Sequence, residues 1–419
     1  MLRLAMLLFL ATVLVLPVAA QEEELGGTVA GLLEYAARQN PEYAALQAEA
    51  AALQERIAPA GALPDPMLRT EFMDLTRFGG RSDMESLSRY GSTRITLMQD
   101  VPWFGKRGLR TAIARDEAEG AEGMARGGWA DIAGRIKMTF AEAYYLQGDE
   151  TLAREILDLL ARLEDIAAIR YGNGQAPMQD VIRAQVEQTN LRNELIELET
   201  ERHHAHLRMN ALLARPGNAP LAAPRELPRL PSPEELDFAL LQDRARVNNP
   251  ELFTDETRIL AAEKTRDLTY RNRYPDFKVG VGLVQYQTDL KEWEMMVEFN
   301  IPLQQRTRRA QEGEAEAMLT AARARKSATE NEVSAELARE LTHIDTMRRI
   351  ETLVSESLLP QAELTYQAAL AGYETGKVDF ATLLEAQQQI REARRNRLKA
   401  QTDARISLAA VERLVGEDL

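Results

Sequence analysis

Two stretches of this chain copy each other in order. Tyr171-Gly172-Asn173-Gly174, followed by Asp180-Val181-Ile182-Arg183-Ala184-Gln185, returns about 200 residues later as Tyr373-Glu374-Thr375-Gly376 followed by Thr382-Leu383-Leu384-Glu385-Ala386-Gln387. Other landmarks return in the same sequence: Asn40-Pro41-Glu42 as Asn249-Pro250-Glu251, Pro64-Asp65 as Pro275-Asp276, and Asp100-Val101-Pro102 as Asn300-Ile301-Pro302. Small changes of spacing are what insertions in loops produce. The chain is a tandem duplication of one unit, helix, strand, strand, long helix, returning helix, and its fold has to be built from two of them.

Within each unit the apolar pattern is that of long helices. A helical register runs from about Gly105 to Ile169, turns at Gly172-Asn173-Gly174 and reverses from about Met178 to Ala214. At 1.5 Å per residue the longer arm would reach roughly 100 Å, too long for the inside of a globular domain. Leu191, Leu195, Leu198, Ala205, Met209 and Leu212 keep the three-and-four spacing of a coiled coil, and Ala393, Ala400, Ser407, Val411 and Leu414 hold the matching places in the second copy. Only 6% of residues are aromatic, so these helices bury narrow seams of small side chains and no thick core. Gly120, Gly123, Gly127, Gly128 and Gly134 each cost up to about 1 kcal/mol inside a helix, which predicts a bend or break near Gly127-Gly128. Pro360 predicts a kink in the second long helix, because it removes an internal donor.

The remainder of each unit is shorter. A helix is expected from about Thr28 to Ala58 with a turn at Asn40-Pro41, and its copy from about Pro233 to Tyr270; the second long hairpin runs from about Arg306 to Gly416. The units divide as residues 21–214 and 233–419, joined by a proline-rich linker at 215–232. Residues 1–20 have the charge, apolar run and small-residue exit of a secretory signal.

Strands set in an otherwise helical chain need a reason. They are expected at Met67 to Leu75, Thr93 to Val101, Phe277 to Gln287 and Glu292 to Pro302, the first two joined by a polar segment with Gly79-Gly80-Arg81-Ser82-Asp83. Phe277, Val279, Val281 and Leu283 share one side of their strand, and Lys278, Gly280 and Gly282 the other. Trp293, Met295, Val297, Phe299 and Ile301 alternate in the same way with Glu294, Met296, Glu298 and Asn300. One side is oily along its length and the other polar or empty, the pattern of a membrane barrel. Aromatic residues gather where interface girdles would lie: Tyr274, Trp103 and Phe104 at one end, Tyr90, Tyr286 and Trp293 at the other. The alternative is a small sheet whose oily side packs on its own helices. Four strands cannot close a membrane barrel, since the smallest have about eight, and open edges are forbidden in lipid, so a barrel reading makes self-association obligatory.

Composition narrows the functions. The absence of cysteine removes disulfides and any acceptor for a lipid anchor. A formal charge of -14 argues against nucleic acid, whose phosphates need basic patches, and suits a conduit that tolerates cations. No nucleophile stands with a base and no glycine loop cradles phosphate, so neither catalysis nor a cofactor is expected.

Over essentially its whole length the chain resembles the TolC family of outer-membrane efflux ducts. The likeness rests on the duplicated unit, on the two tips, Arg170-Tyr171-Gly172-Asn173-Gly174 and Gly372-Tyr373-Glu374-Thr375-Gly376 with the helix starts after them, and on Gln99-Asp100-Val101-Pro102-Trp103-Phe104-Gly105-Lys106-Arg107, which looks like the members that serve metal-exporting pumps. It implies a mainly α fold with a small β part: a homotrimer in the outer membrane of a Gram-negative bacterium, four strands from each chain making a twelve-stranded barrel in outer-membrane lipid, and helices forming a periplasmic tunnel. It further implies a periplasmic adaptor, an inner-membrane pump of the resistance-nodulation-division class, and passive export, of heavy-metal cations on the handover phrase. The same duct serving drugs or secreted polypeptides remains an alternative, as does a periplasmic coiled-coil scaffold without a pore.

The resemblance also assigns residues. Tyr171, Gly174 and Gly376 belong to the tips that contact the adaptor. Tyr373 falls where a family tyrosine helps tie the tunnel entrance closed, while the arginine expected a few residues later is Val378 here. Glu385 falls on one of two acidic positions lining that entrance, the other being Thr382; in a trimer it would form a ring that attracts cations. Asp180 would add a similar charge, or simply favour the positive end of its helix. Glu199, His203 and His206 share a helical face at spacings able to hold a soft divalent metal, against the plainer reading of a solvated face.

Overall fold

The computed structural model describes residues 25–73, 92–286 and 289–419. The signal segment 1–20, the polar segment at 79–83 and Tyr90 lie outside them. The first copy consists of α1 (Val29–Gln39), α2 (Pro41–Glu55), α3 (Ile57–Gly61), β1 (Met67–Met73), β2 (Ser92–Val101), α4 (Lys106–Gly172) and α5 (Met178–Leu212). The second consists of α6 (Phe238–Asn248), α7 (Pro250–Arg271), β3 (Phe277–Tyr286), β4 (Asp289–Phe299), α8 (Gln305–Leu353), α9 (Leu359–Glu374) and α10 (Phe380–Val415). A wider, π-type turn at Val354–Leu358 joins α8 to α9.

At 67 residues, α4 is about 100 Å long, and it is unbroken. Its glycines do not bend it into two helices; they are where other helices come closest. A side chain on Gly123 would meet the Thr254 hydroxyl at 2.5 Å and the Phe253 ring at 2.9 Å, and one on Gly120 would meet the Thr257 hydroxyl at 2.9 Å. Packing of α7 against this face outweighs the propensity cost that predicted a break. The seam residues Leu191, Leu198, Ala205 and Met209 on α5 are buried, as are Ala393, Ala400, Ser407, Val411 and Leu414 on α10. Towards the tips, a strip containing Ala153, Leu160, Ala167, Ala184, Phe380 and Leu383 joins all four hairpin arms.

The Asn-Pro pairs end one helix and start the next in both copies. Asn40 accepts from the Glu42 and Tyr43 amides, so it caps α2, while its Nδ2 donates to the Leu212 carbonyl at 2.8 Å. Asn249 repeats this, accepting from the Leu252 amide and donating to the Leu414 carbonyl at 2.8 Å. Each asparagine thus ties a short helix to the open last turn of its own hairpin. Rather than standing clear of the body, the linker lies along it: Ala222 N–H donates to the Leu25 carbonyl, His206 Nε2 lies 2.7 Å from the Ala219 oxygen, and Arg405 donates to the Pro228 carbonyl.

The strands form one antiparallel sheet in the order β1-β2-β3-β4. Met295 is 80% and Trp293 77% exposed, and Leu68, Leu97, Val281, Val297 and Phe299 are exposed on the same side. Among the described residues, no helix packs on that side. On the other side Arg94 of β2 reaches Glu71 of β1 and Glu294 of β4. Met67, Met98, Gly280 and Met296 occupy one row across the four strands, so Met296 is not alone on the polar side; Met98 and Met296 fill the space above Gly280.

Candidate functional site: the paired hairpin tips

Both tips turn in the same way. Gly174 and Gly376 adopt left-handed backbone, φ 70° and 74°, where a side chain would be strained. Their amides donate to the Tyr171 and Tyr373 carbonyls at 2.9 and 3.0 Å, and the next residues, Gln175 and Lys377, donate to Arg170 and Gly372 at 2.8 Å in each case. The returning helices start differently. Asp379 caps α10, accepting from the Thr382 amide and hydroxyl at 2.8 and 2.7 Å, bonds that hold its carboxyl below the usual range. In the first copy Pro177 stands at that place and caps nothing with its side chain.

The tips are joined across the duplication. Tyr373 is only 2% exposed, and its hydroxyl donates to Asp180 Oδ2 at 3.2 Å. Burial, then the neighbouring Asp180 carboxylate, push the tyrosine hydroxyl up to about 12. Phe380 packs on one side of the ring, with centroids 5.3 Å apart, and the Arg170 guanidinium lies 4.8 Å from its centre. Arg170 also donates to the Glu374 carbonyl at 2.6 Å and to the Gln175 carbonyl at 3.3 Å, so a side chain of the first tip holds the main chain of the second.

Asp180 and Tyr373, assigned separately from the sequence, are therefore partners. Asp180 is buried, unlike the free lumenal charge it was expected to provide. Glu385 is exposed, as is Tyr171. Val378, in place of the expected arginine, packs over Gly372. Arg170 supplies the cation at Tyr373 from the other copy, a role that a search downstream of Tyr373 does not find.

The histidines are elsewhere. His206 is taken up by the linker carbonyl, and His203 lines a cavity of about 420 Å³ with Glu199, Arg202 and Phe140. Among the described residues no three histidine, aspartate or glutamate side chains converge as a metal site. Near the sheet, buried Lys106 donates to Asp276 at 2.8 Å and to the Tyr274 carbonyl at 3.0 Å, while Trp103 stacks on Tyr274 at 5.4 Å.

A duplicated helical hairpin of this length, tied at its tips and carrying one sheet with an oily outer side, is the architecture of the outer-membrane efflux proteins, and the chain is similar to that family. Residues 241–417, most of the second copy, match the family model described as outer membrane efflux protein. The cobalt-zinc-cadmium resistance protein CzcC of Cupriavidus metallidurans is 26% identical over 412 residues, covering 96% of this chain and 92% of CzcC. In fold the chain is similar to the outer membrane protein VceC of Vibrio cholerae, with a TM-score of 0.79 at 17% identity over 93% of this chain and 96% of VceC. It is also similar to CusC, with a TM-score of 0.71 at 16% identity over 93% and 92% of the two chains.

Proposed function

We propose that the protein is the passive outer-membrane duct of a tripartite efflux system and that its cargo is heavy-metal cations. Three copies close a twelve-stranded barrel, the helices continue the bore through the periplasm, and the tips meet a periplasmic adaptor joined to an inner-membrane pump of the resistance-nodulation-division class. The observation that carries this is the sheet: four strands with an exposed oily side that no helix covers and two outer edges without a partner among the described residues. Among the described residues no helix is long and apolar enough to cross a membrane, so the strands are the part suited to lipid.

The metal cargo is supported by the likeness to CzcC over nearly the whole chain and by the acidic balance of the protein. Glu385, exposed beside the tips, is the residue we assign to drawing cations into the entrance. No step of chemistry is required of the duct, because the pump selects and drives.

Two measurements test the reading. The protein should fractionate with outer membranes, need detergent for extraction and give steady conductance in planar bilayers; a water-soluble monomer without conductance overturns the duct. Expressed in a host whose own metal-efflux duct is deleted, it should restore tolerance to cobalt, zinc or cadmium. Failure there, with conductance intact, removes the cargo assignment alone.

A further inference from the structure

The internal duplication is exact enough in the sheet to show how one copy of the chain joins the next. Met67 lies three residues after Pro64, and Lys278 three after Pro275; Met98 lies two before Asp100, and Glu298 two before Asn300. Met67 pairs with Met98 in β1-β2, and Lys278 pairs with Glu298 in β3-β4. The two hairpins therefore keep one register. Between them lies the β2-β3 seam, where the first copy of the unit hands over to the second, with Met98 opposite Gly280, Leu97 opposite Val281 and Ile95 opposite Leu283.

We infer that β4 of one copy pairs with β1 of the next in the register of this β2-β3 seam. The inference rests on the duct reading above, because only a sheet closed by further copies brings those two edges together. Carried through the repeat, the seam sets Glu298 opposite Arg69 of the next copy on the polar side. On the oily side it sets Phe299 opposite Leu68 and Met295 opposite Phe72, all exposed in the single chain. The new seam is complementary in charge on one side and apolar on the other.

The flank of the seam repeats as well. At β2-β3 the buried Lys106 ammonium grips Asp276, and Trp103 stacks on Tyr274. Counted from the same prolines, the equivalents are Arg306 for Lys106, Asp65 for Asp276, Leu303 for Trp103 and Leu63 for Tyr274. Arg306 and Asp65 are exposed, and neither has a partner among the described residues. Leu303 is 81% and Leu63 40% exposed. The copies differ in chemistry and agree in kind: cation to aspartate, and one large apolar side chain on another. Arg306 of one chain therefore clasps Asp65 of its neighbour beneath the barrel, with Leu303 against Leu63 beside them.

Within one chain β1 and β4 are opposite edges of the sheet, about 14 Å apart at the usual strand spacing, so these contacts form only between copies. The lack of cysteine makes the register directly testable. Arg69→Cys with Glu298→Cys, oxidised by copper-phenanthroline in outer membranes, should give covalent multimers on non-reducing gels. Arg69→Cys with Glu294→Cys, a register four residues away, should stay monomeric. Multimers from the displaced pair alone, or from neither pair while the unmodified protein is an oligomer, overturn the inference. Asp65→Arg or Arg306→Asp alone should lower the share of SDS-resistant oligomer about fivefold, and the two together should restore it. Equal loss in the double variant overturns the clasp. If the unmodified protein is itself monomeric in detergent, the duct reading fails with it, which separates the two.

Discussion

The Tyr373 hydroxyl and the Asp180 carboxylate, 3.2 Å apart and both buried, bond the second copy of the duplicated unit to the first at the tip of the molecule. Removing the hydroxyl leaves Asp180 without that donor. A buried hydrogen bond to a charged group contributes about 1.5–3 kcal/mol. Tyr373→Phe should therefore speed amide hydrogen exchange across Arg170–Gly174 and Tyr373–Gly376 and raise conductance through the entrance. Asp180→Asn should do the same, and the double variant should add little to either, as expected for two ends of one bond.

The same bond has a signature in alkali. The tyrosine hydroxyl stands at about 12 when folded, above its ordinary 10.0. The folded tip thus favours the protonated ring, a contribution fully present below pH 10 and lost as pH rises towards about 12. Burial raises Tyr145 and Tyr366 as well, so ultraviolet titration should show late-ionising tyrosines with Tyr373 the last, and Tyr373→Phe should abolish that last step. An unchanged last step would place it on another tyrosine.

Glu385 is exposed on the first turns of α10, free of the bond that occupies Asp180. Single-channel recordings of Glu385→Ala should show weaker block by divalent cations and lower cation preference, with stability within about 0.5 kcal/mol of the parent, as for an ordinary surface change. A block curve identical to that of the parent would count against a role in the entrance.

Asn249 combines a helix cap with a long-range bond to the Leu414 carbonyl, and it is buried. Asn249→Ala should cost about 2–3 kcal/mol, the sum of a lost cap and an orphaned carbonyl. Asn40→Ala should cost a similar amount by the same two losses. Denaturant titration of detergent-solubilised protein is the measurement, and an effect below about 0.5 kcal/mol at either site would refute the assignment.

The ends of the two returning helices offer a comparison inside one molecule. Gly416 adopts φ 83°, and Ala214, which holds its place in the first copy, adopts φ 55° as the non-glycine residue with positive φ among those described. Left-handed backbone costs a residue with a side chain about 1–2 kcal/mol. Relief of that strain outweighs the extra freedom glycine brings to the unfolded chain, so Ala214→Gly should stabilise by up to about 1 kcal/mol. Gly416→Ala should destabilise by more, because its Cβ would sit 2.4 Å from the Asn248 carbonyl oxygen. Thermal unfolding of the two variants should shift in opposite directions.

The duplication, the four strands and the hairpin arms were legible because each leaves a period in the chain: two for Phe277 to Leu283, three and four for Leu191 to Met209. The glycines of α4 were misread because their cost is local, whereas their reason, the face of α7, is supplied by residues far along the chain. Asn40 and Asn249 were visible as a repeat without a role, since each meets its carbonyl only after a whole hairpin has returned. Arg170 was passed over for a similar reason. The cation beside Tyr373 comes from the other copy, and no spacing within one motif reveals that.

From Asn300 to Tyr373 the second copy runs two residues longer than the first does from Asp100 to Tyr171. Yet Arg170 still meets Glu374, so both loops finish level. The wider turn at Val354–Leu358, just ahead of Pro360, takes up slack that an unbroken α-helix would have turned into extra reach. Straightening that turn would carry one loop past its twin, and the ruler that sets the length of this molecule is therefore kept true by an irregular coil.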